Sequence, residues 1–309
     1  EVVHPGVHTT LQDFGRPGFM KYGIPASGVA DRFSSMVANL LVDNPAGAAL
    51  LEITLFRLEL LALNDLIIAV TGGNLSPTVN GNPLLMWQAF SLKEGDKVAF
   101  LARKQGLRAY LAVQGGFSGQ KFLGSRSVYV RGMMGNVLKA GEVLETESSI
   151  MNLLPLKQFP QELIPSFPAK NSMRVTLGPQ EDRFSPKGIE TFLSSEYRVG
   201  PESDRMGYRL QGPTIEHLKG SDIISEPIAR GAIQVPGDGL PIILLWDAPV
   251  SGGYTKIANV ISADLDRLAQ VMPGDSLCFK AVTIEEAHQA LREERARFER
   301  AHKAIEEQG

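Results

Sequence analysis

Residues able to bind and move charge gather first in Thr9-Thr10-Leu11-Gln12-Asp13-Phe14-Gly15-Arg16-Pro17-Gly18, continued by Tyr22-Gly23-Ile24-Pro25-Ala26-Ser27-Gly28 and Asp31. An arginine fork binds a carboxylate or phosphate through two parallel hydrogen bonds, and a neighbouring aspartate accepts a proton or orients a donor. Asp13 and Arg16 therefore either pair and staple the loop or point together at a ligand. Glycines and prolines at this density fix the backbone, so an ordered loop is expected. Ser27 and Asp31 stand where a helix opens, and either cap its amides or leave them to hold an anion.

Other charged and polar residues carry the same two-sided reading. Glu52 lies in the apolar run Leu51-Glu52-Ile53-Thr54, which makes it either the partner of an arginine or a general base with a raised pKa. Gly124-Ser125-Arg126-Ser127 and Arg131-Gly132-Met133-Met134-Gly135 supply amides and guanidinium groups suited to phosphate, yet no G-x-x-x-x-G-K-[ST] motif occurs. In Ser203-Asp204-Arg205-Met206-Gly207-Tyr208-Arg209, Arg205 and Arg209 either converge on a carboxylate or phosphorylated intermediate or brace a turn with Asp204. Gln234 precedes Pro236-Gly237-Asp238-Gly239, and Gly252-Gly253-Tyr254-Thr255-Lys256 lets backbone approach a ligand while offering a phenol and an ammonium. The histidines are isolated and there is no cysteine cluster or Ser-His-Asp order, so no metal is expected.

The elements that must position these residues are mostly strands. With 309 residues, 43% hydrophobic content, 31 glycines and 19 prolines, many short strands in two domains are expected. From Leu50 to Val113, apolar runs alternate with turn signals, Asn80-Gly81 being a hairpin cue. One helix interrupts them, with Phe33, Met36, Val37, Leu40 and Leu41 at helical spacing between Asp31 and Asn44-Pro45. Prolines at 155, 160, 165 and 168 mark a linker over 151–171, between domains at 1–150 and 172–282. The tail at 283–309 reads as an amphipathic helix opened by a Thr283/Glu286 capping box, with Ile284, Ala287, Leu291, Phe298 and Ala301 on or near one face; it either packs on a barrel or meets a partner.

Charge and composition narrow the function. A net charge of -3 without long basic blocks makes nucleic acid an unexpected partner. Cys278 is the single cysteine, excluding an internal disulfide and fitting a reducing cytoplasm. No apolar run approaches the roughly twenty residues that span a bilayer, and the start Glu1-Val2-Val3-His4 reads as neither a charged leader nor a signal core. A soluble, cytoplasmic protein with no membrane partner is expected.

Taken with Ala38-Asn39-Leu40-Leu41-Val42, Ala109-Tyr110-Leu111-Ala112-Val113-Gln114-Gly115-Gly116, Gly178-Pro179-Gln180, Gly231-Ala232-Ile233-Gln234-Val235-Pro236 and Gly252-Gly253-Tyr254-Thr255-Lys256-Ile257, these motifs give the chain a family resemblance from about Gly6 to Phe279. It resembles the family of the 5-oxoprolinase C subunit, also called allophanate hydrolase subunit 2 or the biotin-dependent carboxyltransferase family, which includes Kip-type antagonists. The resemblance implies a mainly β fold of two cyclophilin-like β-barrel domains with a few helices.

It also implies a hydrolase: one component of an ATP-dependent 5-oxoprolinase that opens the lactam of 5-oxoproline to glutamate, with the homologous cyclophilin-like B subunit and a third barrel component, the A subunit, as partners. Under it Arg16, Ser27, Asp31, Arg126, Arg205, Arg209, Tyr254 and Lys256 bind substrate or phosphate, while Asp13, Glu52 and Gln234 orient the lactam or water. ATP is bound here or by a partner. Two alternatives remain: a carboxyltransferase acting with biotin on urea or a related amide, its biotin carried by another protein, and a non-catalytic regulator binding a kinase-inhibitor partner. The chain departs from the family after Arg131, where a longer glycine-rich loop is usual, and at Asp247-Ala248-Pro249-Val250-Ser251, where a polar run is usual.

Overall fold

Tight turns set the strand plan of the first half. Asn80 and Gly81 both take positive φ, 50° and 80°, the geometry of a two-residue hairpin, and they join Pro77–Val79 to Asn82–Pro83. The computed structural model describes residues 1–148 and 156–308; positions 151–155 of the expected linker lie outside the described residues. Contacts divide the chain into two units, one made of Glu1–Arg16, Ser27–Phe167 and Ala296–Gly309, the other of Pro17–Ala26 and Pro168–Arg295. Among the described residues no helix is long and apolar enough to cross a membrane.

The fold is mainly β. The first unit holds two five-stranded sheets, ordered Val2–Pro5, Leu58–Leu61, Lys97–Phe100, Pro77–Val79, Asn82–Pro83 and His8–Gln12, Leu50–Thr54, Gln105–Val113, Leu66–Asn74, Ala89–Leu92. Its central strand Gln105–Val113 is buried on both faces, which explains its continuous apolar run. Ala109, Leu111 and Val113 join one core with Leu51, Ile53, Ile68 and Val70. Tyr110 and Ala112 join another with Phe33, Val37 and Leu41 of the helix Arg32–Leu41.

Asp31 caps that helix, accepting hydrogen bonds from the Ser34 amide at 2.9 Å and the Ser34 hydroxyl at 2.6 Å. Asp31→Ala is expected to lower stability by about 1–2 kcal/mol, seen as a lower urea midpoint at unchanged m-value. No change in midpoint would show that the helix start is held by packing alone.

The second unit contains a closed seven-stranded barrel ordered Lys170–Leu177, Lys256–Val260, Ala232–Gln234, Ile242–Leu244, Gly207–Gln211, Tyr197–Val199, Ser276–Ala281. Parallel pairing of Lys170–Leu177 with Ser276–Ala281 closes it. Phe192 stacks on Phe279 with centroids 4.5 Å apart, sealing the helix Pro186–Ser194 onto the barrel. That helix was not anticipated, although Ser185-Pro186 is a legible start signal: the Ser185 hydroxyl accepts from the Gly188 amide at 3.0 Å. A separate two-stranded ribbon pairs Asp222–Pro227 with Ser251–Tyr254.

The C-terminal helix Ile284–Glu306 opens with the expected capping box, Thr283 and Glu286 bonding each other's amides at 2.8 and 3.2 Å. From Ala296 onward its residues belong to the first unit. There Ala301 and Ile305 are fully buried, Phe298 meets Phe33 edge-on at 5.3 Å, and the Arg297 guanidinium lies 3.7 Å from the Phe33 ring centroid. Ile284, placed on the apolar face by spacing, is exposed instead.

Candidate functional site

The N-terminal loop is closed on itself by hydrogen bonds. Asp13 accepts from the amides of Gly15 at 2.8 Å and Arg126 at 2.7 Å, and from the hydroxyls of Ser125 and Ser127 at 2.5 and 2.6 Å. Arg16 is buried and donates to the carbonyls of Ser127 and Phe122. Both residues thus staple residues 122–127 to the N-terminal loop. Ser27 and Gly28 take positive φ, and a Cβ on Gly28 would lie 2.9 Å from the Gly15 amide nitrogen, so only glycine lets these loops touch. The Arg126 guanidinium is paired with Glu147.

Glu52 sits in a second closed network. It accepts from the Ala30 amide at 2.7 Å and the Tyr110 hydroxyl at 3.0 Å, with the Arg108 Nε 3.5 Å away. Tyr110 in turn accepts from the Asp31 amide at 2.7 Å. Glu52, Arg108, Tyr110 and Asp31 are all buried. Burial first, and the Glu52 charge second, push the Tyr110 hydroxyl well above its usual pKa, so it stays a donor. Of the two readings of Glu52, partner of an arginine is the one this geometry supports.

Polar groups converge differently in the second unit. Lys256 is buried and its ammonium pairs with Glu226. Gln180 joins them, donating from Nε2 to Glu226 Oε1 at 2.7 Å and accepting from the Lys256 amide at 3.2 Å. Lys256 and Gln180 hold the Glu226 carboxyl below its usual pKa. Gln234 is the cross-strand partner of Lys256, at a register shift between Ile233 and Gln234. Its Nε2 is buried without a hydrogen-bond partner among the described residues.

Glycines make this convergence sterically feasible. A Cβ on Gly178 would lie 2.2 Å from the Lys256 carbonyl oxygen, and one on Gly252 would lie 2.6 Å from Gln234 Nε2. Gly252 is also the ribbon partner of Glu226. His217 Nε2, 3.1 Å from both the Val235 carbonyl and the Thr255 hydroxyl, ties together the residues next to Gln234 and Lys256.

The remaining candidates do not join this cluster as a set. Arg205 is buried in a two-point pair with Asp247, at 2.8 and 3.3 Å, whereas Arg209 is exposed on the strand Gly207–Gln211. Tyr254 is exposed. A cavity of about 490 Å³ in the first unit is lined by core residues such as Leu60, Ile68, Leu92 and Val113, and by none of the candidates. Sequence reasoning did not single out Gln180 and Glu226, which the structure brings to Lys256. Gln180 was visible in the Gly178-Pro179-Gln180 motif, but nothing local singles out Glu226.

A family model described as carboxyltransferase domain, subdomain A and B, matches residues 22–281. The chain belongs to this carboxyltransferase domain family. Members similar to it include the C subunit of 5-oxoprolinase from Escherichia coli, 33% identical over 303 residues that cover 97% of this chain and 96% of that protein. The corresponding 5-oxoprolinase C subunit of Haemophilus influenzae is 31% identical over 307 residues, covering 96% of each. Among solved structures, the urea amidolyase of K. lactis superposes with a TM-score of 0.90 at 32% identity, covering 96% of this chain and 19% of that one. The match thus takes up nearly the whole of the two bacterial relatives and about one-fifth of the longer urea amidolyase polypeptide.

Proposed function

We propose that this chain is the C subunit of an ATP-dependent 5-oxoprolinase, working with the homologous B subunit and a third barrel component, the A subunit, in the cytoplasm to open 5-oxoproline to glutamate. The observation that carries this reading is length: the match to the 5-oxoprolinase C subunits runs nearly end to end in both chains. Within the chain, Gln234, Lys256 and Gln180 are the residues we assign to holding and orienting the substrate, because Lys256 and Gln180 meet at the Glu226 carboxylate and Gln234 lies on the strand paired with that of Lys256, where glycines clear space. A lactam resists water because its amide is resonance-stabilised, so the partners must supply activation.

Three of the arginines expected to hold phosphate, and the loop at 124–127, do not fit a nucleotide. Arg16, Arg126 and Arg205 are committed to carbonyls, Glu147 and Asp247, and the glycine-serine loop at 124–127 wraps the Asp13 carboxylate, whose charge repels phosphate. We therefore assign ATP to a partner and take Asp13, Arg16 and Glu52 as structural.

Glutamate release from 5-oxoproline and ATP by the reconstituted complex tests the reading. Release should require this chain and no biotin carrier. Carboxylation of urea with a biotin carrier, without turnover of 5-oxoproline, would replace it by the carboxyltransferase reading that the urea amidolyase likeness favours.

A further inference from the structure

The surroundings of Lys256 are unequal in a way that suggests exchange. The Lys256 side chain is 5% exposed and cannot carry its charge into water, whereas the side chain of its partner Glu226 is 40% exposed. Glu226 rides on the ribbon Asp222–Pro227, outside the closed barrel that carries Lys256. Leaving Lys256 would return Glu226 to solvent at little cost, but would strand a buried ammonium unless another anion arrived. Across the strand pair from Lys256, the Gln234 Nε2 is a buried donor with no partner among the described residues. An unpaired buried donor is costly, so an acceptor brought by a ligand would be favoured there.

Resting on the 5-oxoprolinase reading for the identity of the ligand, we propose that Gln234 and Lys256 form a subsite for the substrate's carboxylate, and that Glu226 holds Lys256 until that carboxylate displaces it. Gly252 is what permits it, since any side chain there would strike the Gln234 amide. Glu226 then acts as an internal competitor. A neutral lactam has nothing with which to dislodge it, so the subsite selects for acids.

Calorimetric titration of the full chain, and of the reconstituted complex, with 5-oxoproline and with the neutral lactam 2-pyrrolidinone tests this. Glu226→Gln and Glu226→Ala, each checked for folding by circular dichroism, should bind 5-oxoproline roughly ten-fold more tightly than the parent, the scale of one charge-assisted hydrogen bond. Affinity for 2-pyrrolidinone should not change. Unchanged affinity for 5-oxoproline, an equal gain for the neutral lactam, or no binding of 5-oxoproline to any form would overturn the proposal. Glutamate release with no effect of the Glu226 variants keeps the function and removes the subsite. Carboxylate-selective tightening without glutamate release does the reverse.

Discussion

Glu52→Ala should lower the unfolding free energy by about 3–5 kcal/mol, the usual cost of removing one partner from a buried ion pair. The carboxylate is 1% exposed and is met by the Ala30 amide, the Tyr110 hydroxyl and the Arg108 guanidinium. Alanine leaves the amide and the hydroxyl without this acceptor and Arg108, 2% exposed, without this counter-charge. Because the network ties the strand Leu50–Thr54 to the start of the helix Arg32–Leu41, two elements loosen together. Tyr110→Phe deletes two hydrogen bonds, the one donated to Glu52 and the one accepted from the Asp31 amide, and keeps the charges, so its cost should be nearer about 2 kcal/mol. Urea titration of both variants reads the difference. A loss below that of Tyr110→Phe would mean that the Glu52 charge contributes nothing.

Lys256→Met should reduce kcat/KM for 5-oxoproline in the reconstituted complex by at least about a hundred-fold, the consequence of truncating a buried, hydrogen-bonded charge at a binding site. Methionine keeps most of the stem's packing, and the partner left behind, Glu226, can turn to solvent, so the fold should survive. Arg209→Ala provides the contrast. Its side chain is exposed on the strand Gly207–Gln211, and activity should stay within about three-fold. Steady-state rates on folded variants decide it, and equal activity of Lys256→Met and the parent would remove Lys256 from the site.

What was legible in the sequence was local. The Asp31 cap, the Asn80-Gly81 hairpin and the Thr283/Glu286 box each involve residues at most three apart, where backbone geometry alone fixes the partner. At Asp13 to Arg16 the sequence left pairing and ligand binding open, because the Asp13 partners Ser125 and Ser127 are more than a hundred positions away. Nothing in a linear reading shows that a carboxylate's valences are already filled. The same holds for Glu226, which becomes a candidate only because the ribbon pairs it opposite Gly252. The apolar runs from Leu50 to Val113 marked strands of the first unit, yet the sequence could not place residues 17–26 with the second unit or residues 296–309 with the first.

The return of the C-terminal helix to the first unit has a consequence for biosynthesis. Ala301 and Ile305 fill that unit's interior, and Gln308 exchanges hydrogen bonds with the Gln158 backbone at 2.7 and 2.8 Å. The half of the chain that leaves the ribosome earliest therefore waits, with part of its apolar surface uncovered, until translation has passed Gln308. Premature termination near residue 283 would spare every barrel strand and still yield an aggregation-prone product.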